Sequence, residues 1–82
     1  MSNIKNTITV RDAEPLLKGD ISYLSDEQVL QCYDAYASYI SYLHADDYGD
    51  DWKKVPLHRP NLDKAKAELD RRGLAAPTGY LL

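Results

Sequence analysis

The sequence predicts a mainly α-helical fold: one small domain over residues 1–82, with helices at 13–18, 26–45 and 62–72 and an extended N-terminal segment. Three observations predict it. Residues 26–45 run without Pro or Gly behind a strong N-terminal cap. A second helical pattern ends on Arg71-Arg72-Gly73, a basic last turn followed by glycine. The alternation of apolar and polar residues that marks a strand is confined to a short segment, with Ile4, Ile8 and Val10.

A chain of 82 residues buries a modest core. Hydrophobic residues at 44% and charged residues at 28% give a globular rather than a disordered balance. There is no Phe, so the aromatic volume comes from Tyr, whose hydroxyl needs water or a partner when the ring is buried. No internal repeat and no linker divides the chain.

The segment 4–10, "IKNTITV", is expected to be extended, because Thr and Ile favour strands. Next comes "RDAEPLLKG". Asp12 suits an N-cap, Glu14 and Pro15 a first turn, and Gly19 the position after the last turn. A helix at 13–18 with Leu16 and Leu17 turned inward is the expectation.

The strongest signal is "LSDEQVLQCYDAYASYISYL". Ser25 with Gln28 three residues on makes a capping box, and Leu24 with Val29 makes the hydrophobic staple. Asp26 and Glu27 sit where the helix dipole favours acids. At about 100° per residue, Val29, Tyr33, Tyr36, Ile40 and Leu43 share one face, flanked by Leu30 and Ala37. Gln31, Asp34, Ser38, Ser41 and Ala45 fall opposite and are expected in water. Tyr39 lies at the edge of the stripe and Tyr42 on the polar side, so folding alone does not explain these two.

A polar loop, "DDYGDDWKKVPLHRP", leads to the last helix, with Val55 and Leu57 expected to pin the two helices together. Asn61 is the expected cap, Leu62, Ala65 and Leu69 the thin apolar stripe, and Gly73-Leu74 a Schellman-type stop. Lys64–Glu68 and Glu68–Arg72 are spaced as i,i+4 pairs. Tyr80, Leu81 and Leu82 form an apolar tail expected to dock on this chain or another.

Composition narrows the function. A net charge of −3 argues against direct nucleic-acid binding. No apolar run approaches a membrane span and the N-terminus lacks a signal-peptide core, so the expected setting is cytoplasmic, without membrane. One cysteine, Cys32, cannot form an internal disulfide. It lies on the flank of the core stripe, where a free Cys is usually a small hydrophobe, and His44 is three turns further on. No phosphate loop, H-E-x-x-H or C-x-x-C motif occurs. The expectation is a protein that is not an enzyme and carries no cofactor.

The acidic loop is the remaining feature. His44, Asp46, Asp47, Asp50 and Asp51 offer oxygen and nitrogen ligands, but the aspartates come in adjacent pairs and no Glu closes an EF-hand. A solvated turn is the plainest reading, and no metal site is expected. Lys53, Lys54, His58 and Arg59 follow directly, so the loop is zwitterionic and its upstream acids repel a polyanion. A recognition surface is the functional reading. Tyr39, Tyr42, Asp46, Asp47, Tyr48, Asp50, Asp51 and Trp52 form the candidate partner-binding set, an acidic rim around aromatic anchors that suits a basic protein surface.

The leading expectation is therefore a non-catalytic protein-binding module. In kind the chain is similar to the short, acidic, single-domain accessory or inhibitor proteins of phages and mobile elements, anti-CRISPR proteins among them. That likeness is carried by size, charge and the lack of catalytic motifs, and it implies action on a host protein. The alternatives are a divalent-metal- or ligand-binding domain using the loop 44–51, and a subunit that forms a homo-oligomer through the Tyr face and the apolar tail.

Overall fold

The computed structural model describes residues 8–45 and 51–82, with the side chains of Asp51 and Trp52 left aside. Over these residues the protein is mainly helical: α1 (Val10–Leu16), α2 (Asp26–Ala45), a 3-10 turn (Asp51–Lys54) and α3 (Val55–Arg72). α2 is the centre, with α1 and α3 both packed on it. α3 runs antiparallel to α2, since Arg72 meets Asp26 at one end and Asn61 meets Tyr36 near the middle.

α1 starts earlier than the sequence suggests. Thr9, in an extended conformation, is the cap, and its hydroxyl oxygen accepts from the Asp12 amide at 3.3 Å. Asp12 sits at the third helical position and accepts from the Thr9 hydroxyl at 3.2 Å. The pair closes a reciprocal cap that reading Asp12 as the cap had missed. Val10, expected in the extended segment, instead opens the helix. Of the rest of the expected extended segment, Thr9 is extended, and residues 4–7 lie outside the described residues. Pro15 falls in the last turn rather than the first, where its missing N–H costs one helical bond. Ala13 and Leu17 are buried; Leu16 is only half-buried.

The end of α1 is tied down from a distance. The Lys64 ammonium donates to the Leu17 and Gly19 carbonyls, each at 2.5 Å. Helix ends leave carbonyls without partners, and a cation there also complements the dipole. Lys64 therefore serves α1, where the i,i+4 spacing had assigned it to Glu68. Gly19 turns the chain at a positive φ of 73°. Asp20 then accepts from the Ser22 amide at 2.9 Å, a turn that drops Ile21 and Leu24 into the core.

α2 begins as its sequence dictates. The Ser25 amide donates to the Gln28 side chain at 2.8 Å, and the Gln28 amide donates back to the Ser25 hydroxyl at 3.1 Å. Leu24 and Val29 on either side of the cap are both buried. Val29, Tyr33, Tyr36, Ile40 and Leu43 are buried as expected. Tyr36 is fully buried, and its hydroxyl accepts from the Asn61 side-chain amide at 3.1 Å.

Burial on α2 is wider than one stripe. Cys32, Ala35 and Ala37 are also buried, and so is Asp34, placed in water by the helical wheel. Asp34 is covered because the chain after α3 returns along this face. The Tyr80 hydroxyl donates to the Asp34 carboxylate, the Leu81 amide donates to the Ser41 hydroxyl at 3.0 Å, and Arg59 donates to the Leu82 carbonyl. The tail thus docks on its own chain through these polar contacts and through the Tyr80 ring packed against the core, while the Leu81 and Leu82 side chains remain exposed.

α3 begins at Val55, not at 62, and the polar loop is correspondingly shorter. The stretch expected as a loop carries two prolines, Pro56 and Pro60. Pro56 stands in the first turn, where a missing N–H costs nothing, and Pro60 forfeits only one bond. Val55 is buried and extends the apolar stripe of Leu62, Ala65 and Leu69 by two turns. Leu57 is exposed and does not pin the helices. Asn61, expected as the cap, is interior to the helix. At the far end Gly73 takes φ 73°. The Gly73 amide reaches the Asp70 carbonyl at 3.1 Å and the Leu74 amide reaches the Leu69 carbonyl at 2.9 Å, a Schellman stop.

Arg72 joins this end to the start of α2. It donates to Glu68 at 2.6 Å, to Asp26 at 2.8 Å and to the Leu24 and Ser22 carbonyls at 2.7 and 3.1 Å. Glu68 is buried and also accepts from Arg71 at 2.5 and 3.0 Å. The hydrogen bonds from Arg71, then those from Arg72, hold its carboxyl down at about 2.

Candidate functional site

Of the candidate partner-binding set, the described residues include Tyr39 and Tyr42 on the last two turns of α2. Asp46, Asp47, Tyr48 and Asp50 lie outside the described residues, as do the side chains of Asp51 and Trp52.

The two tyrosines sit three residues apart and so lie next to each other on the helix surface. Their rings are stacked, with centroids 6.5 Å apart and planes 19° from parallel. Tyr42 is 64% exposed, and Tyr39 is half-buried against the core. On its other side Tyr39 meets the His58 ring of α3 edge-on at 4.9 Å and 86°. His58 also lies 6.1 Å from the Tyr36 ring. The result is a row of rings from the buried Tyr36 through His58 and Tyr39 to the exposed Tyr42. Packing fixes the inner members, so the outer ring projects from a rigid base.

α1 completes the site. Thr9, Val10 and Arg11 face Tyr39 and His58 across an open cleft of about 480 Å³. No local sequence pattern signals this cleft. Arg11, Tyr39 and His58 come from three helices, and no linear spacing links them.

Other chemistry is weak here. Cys32 is fully buried, and burial pushes its thiol up to about 11, which keeps it protonated and unreactive. His44, the other sequence candidate for a base or ligand, is exposed at the end of α2. Among the described residues, no group of three His, Cys, Asp or Glu side chains is arranged to hold a metal ion. No helix among them is long and apolar enough to cross a membrane.

No family model, curated protein or solved structure matches the chain. The functional reading therefore rests on geometry and chemistry alone.

Proposed function

We propose that the chain is a non-catalytic protein-binding module whose contact surface centres on Tyr39 and Tyr42. One observation supports this reading above the others: the exposed Tyr42 ring is stacked on Tyr39, which is itself braced by His58. An exposed aromatic ring held in place loses little conformational freedom on binding, and interface hot spots are enriched in Tyr and Trp. Asp46, Asp47, Asp50 and Asp51 follow closely in sequence, and the proposed partner presents basic residues to them. The finer proposal, an accessory or inhibitor protein of the phage or mobile-element kind, rests on size and charge.

The test starts with capture from a cell lysate and continues with surface-plasmon kinetics on the captured partner. Tyr42→Ala should leave stability within about 0.5 kcal/mol and speed dissociation, because an anchor's loss appears mainly in the off-rate. Asp47→Asn with Asp50→Asn should slow association at low salt. A wild-type off-rate for Tyr42→Ala would remove the aromatic pair from the interface.

A second reading, self-association, is favoured by Leu81 and Leu82. They are 58% and 45% exposed beside the same end of α2. Light scattering across a concentration series, with and without Leu81→Ser and Leu82→Ser, decides between them. A mass that stays monomeric throughout excludes self-association.

A further inference from the structure

The cleft beside the aromatic pair joins an apolar floor to a cation that has no partner among the described residues. Arg59, Lys64, Lys66, Arg71 and Arg72 are each bonded to a carbonyl or carboxylate. Arg11 is exposed on the cleft wall and makes no hydrogen bond or ion pair among the described residues. Opposite it stand Tyr39 and His58, held edge-to-face. His58 makes no hydrogen bond among the described residues either, and its ring neighbours there are Tyr36 and Tyr39.

We propose that this cleft receives a segment of the partner protein that carries a carboxylate next to an aromatic or aliphatic side chain. The Arg11 guanidinium takes the carboxylate, and the Tyr39 and His58 rings take the apolar neighbour. A planar guanidinium matches a carboxylate with two parallel hydrogen bonds. Partial exclusion of water beside the rings strengthens that contact over one on open surface. The cleft is open on one side, whereas small-molecule sites enclose most of their ligand. The net charge of −3 repels a polyanion but tolerates a single acid. This inference rests on the protein-binding reading and adds the chemistry that the partner brings to the cleft.

The experiment is an NMR titration of the full chain with acetyl-Glu-Phe-amide, with acetyl-Gln-Phe-amide and sodium acetate as controls. The acidic peptide should move the signals of Arg11, Tyr39 and His58 together and to saturation. It should bind about two- to fivefold more tightly than the neutral peptide, the range for a partly exposed ion pair. Arg11→Gln, an exposed change whose fold a thermal melt checks, should abolish that preference. Equal binding of the two peptides, or a preference that survives Arg11→Gln, overturns the proposal. Acetate acting at the same midpoint as the acidic peptide shows an adventitious ion only and also overturns it. Signals that move with protein concentration instead assign the cleft to a second copy of the chain, with the same result. Failure here is distinct from failure of the binding module: in that case Tyr42→Ala still weakens the captured partner while Arg11→Gln does not.

Discussion

The Tyr80 hydroxyl donates its hydrogen bond to the carboxylate of Asp34, a residue only 8% exposed in the middle of α2. The two lie far apart in sequence, and their contact closes the returning tail over a helix face that would otherwise meet water. Burial, then the neighbouring Asp34, pushes the Tyr80 phenol up to about 12.

Removing that donor should therefore cost stability. Tyr80→Phe leaves a carboxylate short of a partner, a loss of about 1–3 kcal/mol in urea unfolding. Asp34→Asn keeps an acceptor and should cost less. The pH dependence has a definite sign. A phenol whose folded pKa is raised contributes stability that is full below about 10 and is lost as pH climbs toward about 12. Wild-type stability should fall across that window more steeply than that of Tyr80→Phe. Identical curves for the two proteins would show that the tail is not held by this bond.

The acid limb belongs to Glu68. Arg71 and Arg72 hold its carboxyl at about 2, below its ordinary 4.5, so its contribution is complete above about 4.5 and disappears as pH falls toward 2. Glu68→Gln should flatten the acid-denaturation curve in that range. Arg72→Lys should lower the melting temperature, since one ammonium cannot reach Glu68, Asp26 and the Leu24 carbonyl together. Lys66→Gln breaks only an exposed pair with Asp70 and should melt like the wild type. Equal melting of Arg72→Lys and Lys66→Gln would show that the Arg72 network is not structural.

The packing of α2 predicts a contrast along a few residues. Ile40 is fully buried, and Ile40→Ala should cost about 2–5 kcal/mol. Ser38 is exposed and its hydroxyl donates to the Asp34 carbonyl one turn back, so Ser38→Ala should stay within about 0.5 kcal/mol. Comparable losses in urea melts would mean that the helix is rotated from the face described.

Lys64→Met tests how α1 is held. The change keeps much of the apolar stem and removes the donor to the Leu17 and Gly19 carbonyls. Hydrogen exchange should show α1 amides losing protection while those of α2 keep theirs. Uniform protection in both helices would place the anchoring of α1 in its apolar contacts, Ala13 and Leu17, instead.

Short-range patterns in the sequence decided α2 and the end of α3. The Ser25–Gln28 box, the uninterrupted run to Ala45 and the Gly73 stop each involve groups within about five residues, so the sequence alone sufficed. The core stripe of Val29, Tyr33, Tyr36, Ile40 and Leu43 was legible for the same reason: helical periodicity is a local property. Tertiary structure decided the rest. Val55, buried in the core, carries α3 through Pro56 and Pro60 in a stretch expected to be a loop. Lys64 leaves its i,i+4 neighbour for carbonyls at the end of α1. Asp34 becomes interior only because Tyr80 returns to it, and the cleft exists only where α1 brings Arg11 toward Tyr39 and His58. The physical reason is common to all four. Each depends on which surfaces meet once the helices pack, and that is set by burial across distant segments rather than by any residue's near neighbours.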